Sequence, residues 1–389
     1  MNNFDSIYKM ESLNIDALSF WERSTYFENC DFLIVGAGIV GYTTAIELKK
    51  KHKNAKVIIV ERGILPAGAS TKNAGFACFG SPSELIADLK TQPPSVVFET
   101  VQERWEGLIR LKEIVGSENM AYEQHGSWDL LRSFEKEKAV SINEQLPYLN
   151  DELEKITGLK NTYSVANDCF EKFGFHNLET SFHNRLEGQI DTGKLNQRLH
   201  ALAIEVGVLC LFGTNIHAFQ LNLYNVGIQS SFGYFKTSNL IVCTNGFAQS
   251  FFPHLDVNPA RTQVLVTTPI NDLKIKGTFH FDDGYYYFRN IGNRILLGGG
   301  RNLNLEGENT TDLQTTQQII EALKTQLSSF ILPQQPVDIE YEWAGIMGVG
   351  MAKKPIIESI DPKIAVGVRM GGMGIAIGAT VGKKLADLF

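Results

Sequence analysis

Apolar positions along the chain alternate between two patterns. Residues 32–35 form a four-residue apolar run, too short for a helix and closed by Gly36, which predicts a strand buried on both faces. Residues 39–51 follow with Val40, Ala45, Ile46 and Leu48 near helical spacing, while Glu47, Lys49, Lys50 and Lys51 are free to face water. Residues 56–60 predict a second strand, parallel to the first, that ends in Glu61. Strand, helix and strand in this order make the βαβ unit of a parallel sheet.

Helical spacing returns over residues 83–117, where Leu85, Ile86, Leu89, Trp105, Leu108, Ile109 and Leu111 read as core. Residues 122–184 mix strand-like pieces such as 127–131 with a charged helical stretch at 135–155 and carry no chemical motif. Asp191 is placed to cap a helix running through Leu195, Leu199 and Leu202. Residues 208–212 and 240–246 restore short buried strands, and 261–267 begins a region of antiparallel character. There, 285–289 and 294–298 predict a hairpin around residues 290–293, with Tyr285, Tyr287 and Arg289 on one face. A helix near 315–327, a strand at 364–368, a Gly-rich run at 371–375 and a helix at about 379–388 complete the chain. The reading is an α/β fold: a Rossmann-like nucleotide-binding domain from residues 31–85, 185–255 and 345–389, and an α+β substrate domain with an antiparallel sheet from 86–184 and 256–344. Residues 1–30 read as a lead-in with a short helix near Ser19 to Glu22 packed on the surface.

Between the first strand and helix lies Gly36-Ala37-Gly38-Ile39-Val40-Gly41, a GxGxxG. In this motif the first glycine makes the turn, the second admits a pyrophosphate against backbone, and the third lets helix and sheet approach. The helix start offers N–H groups and a positive dipole end to phosphate. Glu61, at the end of the second strand, can accept hydrogen bonds from both ribose hydroxyls, which favours FAD or NAD over a 2′-phosphorylated nucleotide. Residues 62–76 form a loop of small residues, of the kind that lies against a flat ring or serves as a linker.

A net charge of −7 and the absence of any run of like charges argue against nucleic acid. No apolar run approaches the ~20 residues of a membrane span, and the N-terminal segment has no secretory pattern. The five cysteines form no CxxC and the eight histidines no metal motif, which fits free thiols in a reducing cytoplasm and no metal.

Six segments in order resemble the D-amino acid oxidase family of FAD-dependent oxidoreductases: GAGIVG with Glu61, GASTKNAGF (68–76), GQIDTGKL (188–195), VCTNG (242–246), YYYFR with NRILLGGG (285–300), and GGMGIAIGATVG (371–382). The chain most resembles the glycine oxidase and γ-glutamylputrescine oxidase branch. That resemblance implies an FAD cradle of Gly36, Gly38, Ile39, Gly41, Glu61 and Arg62 for pyrophosphate and ribose. Ala69, Ser70, Asn73, Ala74 and Gly75 would run along the ribityl chain and flavin. Ile216 would meet the adenine, Cys243, Thr244 and Gly246 the AMP half, and Gly371, Gly372, Met373, Gly374 and Ile375 the flavin pyrimidine. Lys72 stands where arginine is commoner in the family, and Met347 and Gly372 stand where glycine oxidase relatives carry substrate-binding arginines. Neither the tethering cysteine nor the lysine of sarcosine oxidase relatives is present, so FAD is expected to be non-covalent.

The activity this implies is oxidation of the C–N bond of an amine or amino acid by hydride transfer to flavin N5, giving an imine, with O₂ or another acceptor taking the electrons. Arg289, with Tyr287 and Tyr285, is the candidate for orienting a substrate carboxylate, because guanidinium grips carboxylate in a bidentate fork; the alternative is a tyrosine-rich strand with Arg289 in a surface ion pair. His280, Asp282 and Asp283 read as a solvated turn. A 2-hydroxy acid dehydrogenase and a flavin-binding protein without turnover are the other readings.

Overall fold

The computed structural model describes residues 15–333 and 335–389. The start of the lead-in lies outside the described residues. Its short helix is Phe20–Glu22, where Ser19 accepts from Glu22 N and the Glu22 carboxylate accepts from Ser19 N in a capping box. Phe20 and Trp21 face outward.

The first apolar run is the strand Cys30–Val35, the helix is Ile39–Lys51 and the second strand Val57–Glu61. They centre a sheet in which Ile364–Val368, Gly233–Val242, Cys30–Val35, Val57–Glu61 and Leu209–Phe212 lie side by side and parallel. The helix Ile39–Lys51 is buried along most of its length because the last helix, Gly374–Ala386, packs on it. That helix begins five residues before the expected start at 379, and its glycines at 378 and 382 let it approach: a Cβ on Gly378 would sit 2.8 Å from Ile39 Cγ2 and one on Gly382 would collide with Thr43.

A second sheet of eight strands is antiparallel except where Thr278–Phe281 lies beside Ser127–Arg132. It is ordered Ile339–Val349, Asn258–Thr267, Arg294–Gly299, Tyr286–Ile291, Thr278–Phe281, Ser127–Arg132, Leu178–Asn184 and Tyr163–Val165. The hairpin turn is tighter than the sequence suggests, because Ile291 pairs with Arg294 and leaves only Gly292 and Asn293 outside the ladder. The strand Ile339–Val349 stays in this sheet beyond the boundary expected at 344. The expected long helix at 83–117 is two, Pro82–Leu89 and Pro94–Val115, since Pro93 and Pro94 cannot continue the first.

One face of this sheet carries an aromatic core of Trp128, Phe279, Phe281, Tyr286 and Phe288 under the helix Gln317–Gln326. Toward its other end the same face holds the segment 301–316 through a buried ion pair. Arg261 Nε and Nη2 donate to the two Glu308 oxygens at 2.9 and 2.8 Å, and Gln263 Nε2 donates to both at 3.0 Å. Glu308→Ala would leave Arg261 charged, buried and short of its partner, so it should lower unfolding free energy by about 3–5 kcal/mol in a denaturant titration.

Candidate active site

The opposite face of the antiparallel sheet looks toward the nucleotide-binding layer, and its register fixes which side chains share a row. One row across neighbouring strands is Val266, Leu296, Arg289, Thr278 and Ser127; the next is Trp343, Val264, Gly298, Tyr287, His280 and Asp129. Beyond these, Thr262 lies opposite Gly345 and Ala260 opposite Met347. Ala74 and Phe76 of the small-residue loop pack on Val264, Val266, Leu296, Tyr287 and Trp343. The loop is pinned by Trp343 Nε1 donating to Lys72 O at 2.9 Å. Gly345 is needed there, because a Cβ on it would meet Lys72 Cβ at 3.0 Å.

Four loops that follow parallel strands converge at the carboxyl end of the first sheet, the place where open α/β sheets bind nucleotides. Gly36 has φ +109°, and a Cβ on it would stand 2.8 Å from Cys243 O. Gly38 precedes the helix, where a Cβ would meet Ser70 Oγ at 2.8 Å. Ser70 Oγ accepts from Ile39 N at 3.0 Å, which ties the loop to the start of the helix. The Glu61 carboxylate accepts from Ala37 N and Gly63 N, both at 3.1 Å, so it is held next to the GxGxxG turn. Arg62 lies 4.0 Å over the Phe247 ring.

Other residues expected at the cofactor also make framework contacts. Asn73 spends its amide on Ala69 O and Ser70 O, and its Oδ1 accepts from Gly75 N. Ile216 is buried in the core just after Thr214, whose N donates to Glu61 O. Asn245, with φ +48°, accepts from Arg369 N and Met370 N and so joins the turn at 243–246 to the Gly-rich turn. There a Cβ on Gly372 would lie 3.3 Å from Met347 Sδ, which brings together the two positions singled out as lacking arginine. Gly371 and Gly372 have φ +57° and +83° and lead into Met373, Gly374 and Ile375 at the start of the last helix. Arg369, nearest that turn in sequence, is ion-paired with Asp256 at 2.7 Å.

The cradle fits FAD. Among the described residues, Thr244 Oγ1 and Asn196 Oδ1 are buried there without hydrogen-bond partners, although Asn196 Nδ2 donates to Ser70 O at 2.8 Å. Those polar atoms, the glycines that no side chain could replace, and a carboxylate poised beside the turn are what a pyrophosphate and a ribose require.

The candidate substrate residues separate. Arg289 is buried under the loop, and its Nη2 donates to Ile190 O at 3.0 Å close to Gly75. Its Nε has no partner, and among the described residues no carboxylate pairs with it. Burial lowers it to about 10. Tyr287 reaches across Gly298, where a Cβ would collide with its ring, to share a 2.8 Å hydrogen bond with Thr262. Tyr285 lies outside the strand, half exposed, and its carbonyl extends the ladder by accepting from Gly300 N.

His280 corrects the expectation of a solvated turn: it stands within the strand Thr278–Phe281, across from Tyr287, with the Phe76 ring 5.0 Å away edge-on. Asp282, Asp283, Gly284 and Tyr285 form the turn, the first three with positive φ. Sequence reasoning missed His280, Thr262, Trp343 and Asn196. Alternation from Arg289 back through the tight turn would have marked His280, but only with the register known.

Glu61→Ala should lower FAD affinity by roughly 10- to 100-fold through lost charged hydrogen bonds, read by equilibrium dialysis of the cofactor. Unchanged retention would mean that the ribose is held elsewhere.

Solved structures of similar fold include L-proline dehydrogenase from P. horikoshii (TM-score 0.74, 18% identity, 93% of each chain covered). Glycine oxidase from Geobacillus kaustophilus is equally similar (TM-score 0.74, 18% identity, 92% of this chain and 94% of that one). Among curated proteins, the probable oxidoreductase OrdL of Haemophilus influenzae is 20% identical over 394 residues, covering 93% of this chain and 83% of the relative. The family model described as FAD dependent oxidoreductase matches residues 31–388. With a GxGxxG cradle built for FAD and a sheet face closing over it, the chain is an enzyme of the DAO family of FAD-dependent oxidoreductases.

Proposed function

We propose that this enzyme oxidises the C–N bond of an amino acid or amine to an imine, with FAD bound non-covalently. The observation that carries this reading is Arg289: a guanidinium buried beside the flavin loop, in an ion pair with no carboxylate among the described residues, with Glu123 and Asp191 favouring its charge only from a distance. A buried charge without a partner is costly, and an acidic substrate would bring the partner. Bound FAD supplies the acceptor for the hydride that leaves the substrate carbon. The chain does the rest. Arg289 holds the carboxylate, the Tyr287 and Thr262 hydroxyls border the reacting carbon, and Trp343, Phe76 and Met347 make the wall that excludes water. O₂ or another acceptor then takes the electrons. Similar folds whose names include glycine oxidase, iminodiacetate oxidase and L-amino acid deaminase support this substrate class.

A 2-hydroxy acid is the second reading. It is favoured by 29% identity over 143 residues, 36% of this chain and 31% of the relative, to L-2-hydroxyglutarate dehydrogenase of Indibacter alkaliphilus. Flavin bleaching without oxygen by matched amino and hydroxy acids separates the two.

Burial lowers the Arg289 guanidinium, so at neutral pH its protonated form costs the folded state stability. That cost is full below the folded value of about 10, shrinks as pH rises through it, and is gone only above the unfolded value. Arg289→Met should therefore hold or raise the unfolding free energy, by up to the order of 1–3 kcal/mol, and with it the thermal midpoint. It should also lower kcat/KM for a carboxylate substrate by about 2–5 kcal/mol. A falling midpoint with unchanged flavin reduction would make Arg289 structural and point to an amine without a carboxylate. Acid precipitation should release intact FAD into the supernatant; flavin retained by the pellet would contradict non-covalent binding.

A further inference from the structure

The substrate side of the sheet face contains one histidine whose ring nitrogens have no protein partner among the described residues. His280 is partly buried in the row with Tyr287, and Phe76 packs edge-on against it at 5.0 Å. The acids that could have claimed its ring are engaged. Asp129, its neighbour in the row, accepts from Ser83 N at 2.9 Å, and Glu84 pairs with Arg104 at 3.1 Å and Lys353 at 3.3 Å. Lys353 also bonds Asp88, so the charges of the helix Pro82–Leu89 and of the segment after Val349 are satisfied without His280.

We propose that the His280 ring accepts a hydrogen bond from the substrate's amine N–H, which makes the substrate a primary or secondary amine with its nitrogen beside Phe76 and Tyr287. This rests on the C–N oxidation proposed above. Three features point to an acceptor and not to a charged group. Burial pushes the imidazole down to about 4, so it is neutral with a free lone pair at any pH near 7. The Phe76 ring packs against it and Tyr287 stands across from it, and this burial outweighs the pull of Glu84 toward a charged ring. The Tyr287 and Thr262 hydroxyls are bonded to each other and the Asp129 carboxylate accepts from Ser83 N, whereas neither His280 ring nitrogen is bonded within the described residues. An acceptor there orients the nitrogen of the bound amine without taking a proton from it. No bond to the protein forms and no proton leaves the substrate at this step.

The test uses the FAD-loaded enzyme, its His280→Phe variant, which keeps an aromatic ring against Phe76, and its His280→Gln variant, which keeps an acceptor. Anaerobic flavin reduction by a panel of amines and amino acids identifies the reducing amine for the unaltered enzyme. Equilibrium binding of a matched ligand with carbon in place of nitrogen is read from perturbation of the flavin spectrum. His280→Phe should weaken binding of the amine by roughly 5- to 100-fold, as a donor left without its partner does. Binding of the nitrogen-free ligand and FAD content should hold, and His280→Gln should recover part of the loss. Equal weakening of both ligands, or no weakening of either, overturns the role of His280 while leaving C–N oxidation standing. If no amine bleaches the unaltered enzyme and a hydroxy acid does, the C–N reading itself fails and the assignment falls with it.

Discussion

Backbone has to touch backbone where the first parallel strand ends, and the rest of the structure follows from that approach. Gly36 turns with positive φ against the carbonyl of Cys243, and Gly41 packs directly on Gly36 O. No side chain fits at either place. The closeness aims the start of the helix Ile39–Lys51 into the crevice and lets Glu61 bridge Ala37 and Gly63. It also brings the turn at 243–246 within reach of the Gly-rich turn, where Asn245 joins them. A phosphate site built from N–H groups and a dipole needs this geometry before any ligand arrives.

The second sheet is held to the first by the loop after Glu61. Trp343 anchors Lys72 O, Ala74 and Phe76 fill the apolar rows, and Gly75 N is bound by Asn73. The same loop buries Arg289, so one segment both walls the cofactor region and creates the charge imbalance that a substrate is proposed to relieve. Arginines elsewhere behave differently. Arg261 has Glu308 and Arg369 has Asp256, and these pairs fasten a long segment and a turn. The contrast separates charges that hold the fold together from one whose partner is proposed to be the substrate.

The site is asymmetric in polarity. Met347 and Gly372 make one end apolar, while Tyr287, Thr262 and His280 supply hydrogen-bonding atoms at the centre. Such a surface can orient a small molecule by few contacts, because a polar atom in a water-poor wall is worth more than one in solvent.

The local sequence was sufficient for the parallel βαβ unit, the GxGxxG turn, Glu61 at its strand end and the Asp191 cap, which accepts from Lys194 N. Each is set by neighbours within a few residues: glycine freedom, a buried apolar run, a side chain reaching its own backbone. The resemblance of six ordered segments extended this to the family. Tertiary structure alone decided the rest, because rows across a sheet depend on register between strands far apart in the chain. Tyr287 bonding Thr262, Arg289 lying beneath Gly75, Arg369 being spent on Asp256 and His280 standing in the strand instead of the turn are all consequences of pairings that no local pattern encodes. Alternation tells which residues share a face; only the register tells what stands opposite them.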